Sequence, residues 1–197
     1  MAEAASHRLP SQPVYPPLAW DPQGVRHLLL ACGDEPATAE ALARRLAADA
    51  PADLALIQVG AGPWARLLPT ASASTAPDAE AALDLLQSRL AEARMGLRLY
   101  LLGPESLLWR ASRLAAAAGL GEDAIRRERF GTLARPVWCV HCQQLHGAVR
   151  SSLLSCQGCG RTLLVRDHFS RRLGAYMGVQ VDAEVPGEHP PPEILYP

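Results

Sequence analysis

Residues Leu97-Arg-Leu-Tyr-Leu-Leu-Gly-Pro104 give the clearest indication of the fold of the larger part of this 197-residue chain. Their mostly apolar beginning is typical of a buried strand, and the glycine–proline pair predicts a turn at the end of that strand. The turn leads into a helix that ends at Gly119, because apolar residues recur there at helical spacing: Leu107, Ala111, Leu114 and Ala118. Strand, turn and helix in this order form the repeating unit of a parallel α/β sheet.

The same alternation of strand and helix precedes this stretch and continues after it. We predict strands at residues 27–31, 54–59, 97–102 and 125–130, helices at 37–48, from Pro77 onward and from Pro104 onward, and a loop of small residues at 70–75. Consecutive parallel strands need right-handed crossovers, which place helices on both faces of the sheet. The chain is therefore predicted to be an α/β protein with a doubly wound parallel sheet of the Rossmann-like type.

Composition and charge exclude several classes of function. Hydrophobic residues make up 49% of the chain and charged residues 20%, which is typical of a globular protein. The 19 basic and 20 acidic residues balance to a net charge of −1, so nothing indicates binding to nucleic acid or to an anionic membrane surface. All the basic residues are arginine, which excludes a Schiff-base lysine and a phosphate-loop lysine.

Both ends of the chain are rich in proline. We predict that residues 1–24 form an extended arm and residues 186–197 a tail, whose last residues, 194–197, could dock on some other surface. Residues 1–20 carry prolines and Arg8 where an export signal needs an apolar segment, and no apolar run approaches the length of about 20 residues that crosses a membrane. The protein is therefore expected in the reducing cytoplasm.

Four cysteines form two pairs of identical spacing, Cys139-Val-His-Cys142 and Cys156-Gln-Gly-Cys159, separated by thirteen residues. Two residues between paired cysteines allow both sulfurs of a turn to face one ion, and two such turns complete a tetrahedral site. The residues between the pairs are numerous enough for a hairpin. Gly158 and Gly160 supply the backbone freedom that the second turn needs.

The four-thiolate set favours zinc, with a single iron as the alternative. Four sulfurs close the coordination sphere, so the site is structural or carries electrons and is not a Lewis-acid catalyst. His141 and His146 could each replace a cysteine as ligand. Because four sulfurs already complete the site, we interpret both histidines as ordinary residues of the surface or of the hairpin. Cys32 stands alone and is interpreted as a small buried apolar residue. We predict an α/β domain over residues 25–131, followed by a small zinc-ribbon or rubredoxin-like domain over residues 132–185.

Seven residues after the last cysteine form a candidate docking segment: Arg161, Arg166, Asp167, His168, Phe169, Arg171 and Arg172. Guanidinium groups bind carboxylates and phosphates, so this segment could contact a partner protein or hold an acidic group. The alternative is a solvated strand and helix start with arginine–aspartate pairing inside the segment. Asp167 and His168 resemble an acid–base pair, but the sequence fixes no nucleophile beside them, and we assign no catalytic residue.

The first strand-to-helix turn, Cys32-Gly-Asp-Glu-Pro36, stands where a dinucleotide-binding domain has glycine-rich backbone. Asp34 and Glu35 would occupy the positive end of the helix and repel a pyrophosphate. Residues 27–33 and 97–131, the latter ending in Glu-Arg-Phe-Gly, resemble the nicotinamide-binding domain of ferredoxin reductase-like proteins. In that family the turn is rich in glycine and a cysteine precedes Gly-Pro, where this chain has Leu102. Nicotinamide binding is therefore not carried over.

Residues 138–188 resemble the DmmA-type subunit of dimethylamine monooxygenase. The resemblance lies in both cysteine pairs, in Leu164-Val-Arg-Asp-His-Phe-Ser-Arg-Arg-Leu173 and in Val181-Asp-Ala-Glu-Val-Pro-Gly-Glu188. It implies an accessory subunit of a haem-dependent complex that uses NADPH and oxygen to convert dimethylamine into methylamine and formaldehyde. It also implies partner subunits that carry the haem and the flavin and iron–sulfur reductase, since this chain offers no motif for those groups.

We therefore expect a non-catalytic subunit with a structural zinc site at Cys139, Cys142, Cys156 and Cys159 and a docking role. The alternative is a rubredoxin-like electron carrier between the reductase and oxygenase subunits, with iron in place of zinc. A third possibility is an enzyme in its own right, with Asp167 and His168 in its active site.

Overall fold

A computed structural model describes residues 11–33 and 35–197 of the chain. The chain divides into two compact units, the first spanning Tyr15–Leu133 and the second containing Ala134–Pro197 together with residues 11–14. Of the predicted arm, residues 1–10 lie outside the described residues, and residues 15–24 belong to the first unit. Leu18 is buried there, which ties this proline-rich segment to the fold.

The first unit is built on a five-stranded sheet in which all the strands are parallel. Its strands are β1 (Arg26–Ala31), β2 (Leu54–Val59), β3 (Ser72–Ala76), β4 (Leu97–Gly103) and β5 (Ile125–Arg129). Their order across the sheet is β3-β2-β1-β4-β5. The order reverses direction between β1 and β4, which is the defining feature of a doubly wound sheet.

Four helices cover the two faces of this sheet: α1 (Pro36–Ala47), α2 (Trp64–Leu67), α3 (Ala79–Ala91) and α4 (Glu105–Ala117). Alternate residues of β1 point to opposite faces, as strand geometry requires. Leu28 and Leu30 pack with α3 and α4, while Leu29 and Ala31 pack with α1 and α2. The prediction of a doubly wound, Rossmann-like sheet is confirmed.

Two elements differ from the sequence interpretation of the first unit. Ser72–Ala76, predicted as part of a loop, is the strand β3, and Trp64–Leu67 forms a helical turn that we did not predict. Strand β3 lies at the edge of the sheet and pairs only with β2. Its small, mostly exposed residues therefore lack the apolar run that marks a buried strand.

The second unit contains a mixed sheet formed by β6 (Arg135–Cys139), β7 (Leu145–Val149), β8 (Leu153–Ser155), β9 (Thr162–Ser170) and β10 (Ala175–Gln180). The order is β7-β6-β10-β9-β8, with β6 and β10 parallel and the other neighbours antiparallel. Strand β9 is continuous to Ser170, where one interpretation placed a helix start. It bulges against β10, because residues 166–168 lie opposite the single residue Met177.

Among the described residues, no helix combines the length and the apolar character that a membrane span requires.

Candidate metal centre

The two cysteine pairs lie in two turns with the same backbone hydrogen bonds. Cys139 ends β6, and its carbonyl oxygen accepts from the amide of Gln143 at 2.9 Å; the carbonyl of Cys156 accepts from Gly160 at 2.8 Å. The residues that donate are both left-handed, with φ of 66° at Gln143 and 72° at Gly160. The amides of Cys139 and Cys156 in turn donate to the residue five positions later, Gln144 and Arg161. The repeated spacing thus folds into a repeated turn.

These two turns bring the four sulfurs together. All four Sγ atoms lie within 4.8 Å of one another. The Cys139 and Cys159 sulfurs are 3.9 Å apart, and the Cys142 and Cys156 sulfurs 3.5 Å apart. A tetrahedral metal with sulfur at about 2.3 Å requires sulfur–sulfur separations of about 3.8 Å. The four cysteines therefore form a cluster of the size and donor chemistry that hold one metal ion.

Backbone amides and neighbouring thiols set the acidity of the outer two cysteines. The amide of Arg161 donates to the Cys159 sulfur and lowers the pKa of that thiol to about 6. The amide of Gln144 makes the corresponding contact with Cys142, but desolvation and hydrogen bonds with the other three thiols raise the pKa of Cys142 to about 12. Four negative charges at this spacing repel one another, and a bound cation offsets that repulsion.

Burial divides the cluster into an inner and an outer half. Cys139 and Cys156 are buried and pack with Leu163 of β9, while Cys142 and Cys159 reach toward solvent. A Cβ atom on Gly158 would lie 2.9 Å from the Cys142 sulfur. The sequence indicated freedom of the backbone at Gly158 and Gly160. In the structure only Gly160 needs the left-handed conformation, and Gly158 makes room for a sulfur.

Neither histidine near the first pair belongs to this cluster, and neither does the fifth cysteine. His141 is exposed. His146 lies buried on β7, its Nε2 finds no hydrogen-bond partner within the described ranges, and burial lowers its pKa. Cys32 follows β1 in the first unit, where it packs at the edge of the apolar core.

The structure divides the candidate docking segment into exposed and buried parts. The exposed side chains are Arg166, Asp167, His168, Arg171 and Arg172. Arg161 is half-buried and donates to Gln180 Oε1 at 2.9 Å. Phe169 is only 5% exposed and packs edge-on against Tyr176, with ring centroids 4.9 Å apart. Its ring is therefore buried within the second unit, and only the other members of the segment offer side chains to a partner.

Asp167 makes an ion pair that the sequence analysis did not foresee. Its carboxylate accepts from Arg135 at 2.6 Å. The Arg135 guanidinium lies between the rings of Tyr176 and Tyr196, 4.1 and 3.9 Å from their centroids. We call these four residues the arginine clamp. The sequence offered one indication of this contact: Tyr196 lies within residues 194–197, which were expected to dock.

Comparisons with known proteins agree over nearly the whole chain. Residues 7–125 match the model of the DmmA-like N-terminal domain of dimethylamine monooxygenase subunits, and residues 136–179 match the model of the DmmA-like C-terminal domain. The chain is 37% identical over 189 residues to the heme-dependent oxidative N-demethylase delta subunit of Ectopseudomonas mendocina (strain ymp). That alignment covers 94% of this chain and 97% of its relative.

Two solved structures align over part of the chain. The ferredoxin reductase of carbazole 1,9a-dioxygenase is 21% identical, with a TM-score of 0.39 over 53% of this chain and 33% of the reductase. Phthalate dioxygenase reductase is 16% identical, with a TM-score of 0.44 over 68% of this chain and 46% of that reductase. The family models and the near-complete alignment decide the question: this chain belongs to the DmmA-like family of dimethylamine monooxygenase subunits.

Proposed function

We propose that this chain is an accessory, non-catalytic subunit of a haem-dependent oxidative N-demethylase that converts dimethylamine into methylamine and formaldehyde. The observation that carries the proposal is the 37% identity to a delta subunit over 97% of that subunit's length. The haem and the NADPH-dependent flavin and iron–sulfur reductase would reside in partner subunits. The complex would work in the cytoplasm, where free thiols persist.

Reconstitution tests this function. The chain is co-expressed with the haem and reductase subunits of the demethylase, and oxygen-dependent formaldehyde release from dimethylamine is measured with and without it. We expect co-elution and an activity or complex yield that falls when the chain is left out. A chain that neither co-elutes nor changes yield or activity would contradict the proposal.

We propose that the four cysteines hold one zinc ion. The donor set supports zinc, because four thiolates on two hydrogen-bonded turns match closed, tetrahedral sites. The residues that would bind it are Cys139, Cys142, Cys156 and Cys159, whose sulfurs lie within 4.8 Å of one another. With four protein ligands no coordination position stays open for substrate, so the ion would join the two turns.

One observation favours the alternative, an iron-containing electron carrier. Cys142 and Cys159 lie on the outer side of the cluster, so a metal there would sit close to the surface, as electron transfer between subunits requires. Elemental analysis and visible absorption of protein expressed with both metals available distinguish the two. About one zinc per chain without colour supports the structural site, and stoichiometric iron with a colour that bleaches on reduction supports the carrier.

We propose that the exposed part of the docking segment binds an acidic surface of a partner subunit. Residues 134–172 contain six arginines and one aspartate. That aspartate is already bound to Arg135. Arg166, Arg171 and Arg172 are exposed at the bulge of β9 and at the turn that follows it. A cationic face with few internal partners favours association with an anionic one.

Charge reversal tests the docking face. We expect Arg166→Glu combined with Arg171→Glu to weaken binding to the partner subunits at least tenfold and to reduce its dependence on salt. The matched control is Arg94→Glu combined with Arg113→Glu, which reverses two exposed arginines of the first unit. If the two double substitutions weakened binding equally, the proposal that the partner binds specifically to the exposed arginines of β9 and its following turn would be contradicted.

A further inference from the structure

Parallel sheets with this strand order take ligands, commonly dinucleotides, outside the carboxyl ends of the strands where the order reverses. In this chain that place is the end of β1 and β4, between the first turns of α1 and α4. Phosphates bind there because a glycine permits close approach and because helix amides stay free. Three features of the described residues test whether this crevice fits a dinucleotide.

The first feature is the glycine of the β1–α1 turn. A Cβ atom on Gly33 would overlap the ring of Phe130. Phe130 is itself only 7% exposed and packs edge-on against Trp64, with ring centroids 6.3 Å apart. The glycine therefore makes room for a side chain of the protein itself, and that ring fills the space in which a phosphate would approach the backbone.

The second feature is that both helices bordering the crevice begin with acidic residues. Glu35 holds the N-cap position of α1, and Pro36 follows it without an amide hydrogen to offer. At α4, Glu105 is completely buried in the first turn. Each helix thus has an acidic residue at the end where a pyrophosphate would bind, and its negative charge opposes that binding. Asp34, also predicted to oppose a pyrophosphate, lies outside the described residues.

The third feature is the segment 15–21, which we call the strap. At its beginning, the Tyr15 hydroxyl donates to Glu105 Oε1 at 2.5 Å and accepts from Trp109 Nε1 at 2.7 Å. The Arg129 guanidinium lies over the Tyr15 ring, 5.7 Å from its centroid. Tyr15 therefore covers the start of α4, at the carboxyl edge of the sheet.

The rest of the strap is bonded to the sheet face that carries α1. The amide of Leu18 donates to Glu128 Oε2 of β5 at 2.6 Å, and Trp20 Nε1 donates to the carbonyl of Leu46 at 2.9 Å. Asp21 pairs with Arg98 of β4 at 2.7 Å. Within the described residues the crossovers place no helix on this face beside β5, and the strap covers the face there. A ligand could not displace it without exposing buried core.

We infer that the ligand crevice of this sheet is filled by the chain's own residues, Phe130, Glu105 and the strap, and that the chain binds no dinucleotide. The fold keeps the strand order of a cofactor-binding domain, but the cavity that remains between the β1–α1 turn and residues 59–63 has a volume of about 240 Å³, below the ~300–1,000 Å³ of ordinary ligand pockets. Any nicotinamide or flavin chemistry of the assembly then belongs to other chains. The inference concerns this chain alone and does not depend on the proposed function.

Two measurements on the full-length chain test the inference. Calorimetric titration with NADPH, NADP+ and FAD is expected to show no saturable binding up to about 1 mM, and the melting temperature should not rise with ligand. Saturable binding at roughly micromolar concentrations would overturn the inference.

The second measurement asks whether the strap occupies the crevice in solution. Tyr15→Phe keeps the ring but removes the hydroxyl that accepts from Trp109, so the indole N–H resonance of Trp109 should shift. Tyr196→Phe, in the second unit, is the control and should leave that resonance in place. An unchanged Trp109 signal in folded Tyr15→Phe would place the strap elsewhere and overturn the inference.

Discussion

In the first unit, leucine and alanine side chains fill both faces of a parallel sheet, whereas in the second unit four cysteine sulfurs cluster in two turns at the ends of strands of a small mixed sheet. Leu29, Leu30, Leu99 and Leu101 are completely buried in the first unit. One core cluster of the second unit instead consists of Cys139, Cys156 and Leu163. The two halves of one chain thus reach a folded state by different means.

The difference follows from size. A unit of about 65 residues buries too little apolar surface to offset the entropy of ordering its backbone, and a metal or a disulfide usually makes up the shortfall. The first unit, Tyr15–Leu133, is about half as long again and packs helices on both faces of its sheet. The two units should therefore respond to different perturbations, and four experiments test this expectation.

Metal removal should have the largest effect. Stripping the metal, or the substitution Cys156→Ser, should unfold the second unit and leave the first folded, because binding of a structural metal contributes about 10 kcal/mol or more to such folds. Calorimetry should then show one transition in place of two, and only the signal of Trp138, the tryptophan of the second unit, should change. Cys32→Ser is the matched control in the first unit and should leave the metal content intact. A second unit that keeps its melting profile without metal would refute the role assigned to the cluster.

A cavity in the first unit should rank next. Leu101→Ala removes a completely buried side chain and should lower the free energy of unfolding by about 3–5 kcal/mol, with the metal content unchanged. The measurement is chemical denaturation followed by near-ultraviolet circular dichroism. Met95→Ala, at a position 98% exposed, is the control and should have little effect. Metal loss in Leu101→Ala would show that the two units are not energetically separate.

The arginine clamp should contribute less than either core. Arg135→Ala should lower the stability of the second unit by about 1–3 kcal/mol, since stacking on two rings and an ion pair are lost together. Hydrogen exchange of the Leu195 and Tyr196 amides, which donate to the Arg150 carbonyl at 3.0 Å, should accelerate. Arg135→Lys keeps the charge but not the planar stacking, so exchange nearly as fast as in Arg135→Ala is expected. If the Leu195 and Tyr196 amides exchanged as slowly in Arg135→Ala as in the wild type, the clamp would not be what holds the tail in place.

The smallest effect concerns pH. Burial lowers the pKa of His146, so the unfolded chain takes up the proton more readily than the folded one. The stability of the second unit is then fully present above about pH 6.5 and declines as the pH falls below that value. His146→Leu should flatten the melting temperature between about pH 7 and pH 5.5. His141→Gln, at an exposed position, should retain the wild-type slope, and equal slopes in all three proteins would contradict this assignment.

The sequence predicted best those elements whose residues are both apolar and periodic. Strands β1, β2 and β4 and the long helices follow from runs rich in leucine and alanine, whereas β5, with the sequence Ile-Arg-Arg-Glu-Arg, has only one apolar residue. Strand β3 was missed, because an edge strand of serine, alanine and threonine carries no such signal. The four cysteines were identified from spacing alone, since the turn that the spacing favours is local.

What the sequence could not provide are contacts between residues far apart in the chain. The clamp joins residues 135, 167, 176 and 196, and the strap joins Tyr15 to Glu105. The bulge of β9 places three consecutive exposed residues, 166–168, before the buried Phe169, and this interrupts the alternation that would have marked its ring as facing inward. Neither pairing nor bulge leaves a local pattern from which it could be derived.

The position of β10 has a consequence for the order of events during synthesis. This strand is the last of the sheet to leave the ribosome, yet it lies at the centre, between β6 and β9, and Gly178 accepts from Val140 in the first cysteine turn. Both cysteine pairs are therefore translated before the strand that fixes the distance between them. We expect the four cysteines to bind the metal tightly only after residues up to Gln180 have been translated. A nascent chain that stalls before Gln180 would therefore expose its four thiols without forming the closed metal site.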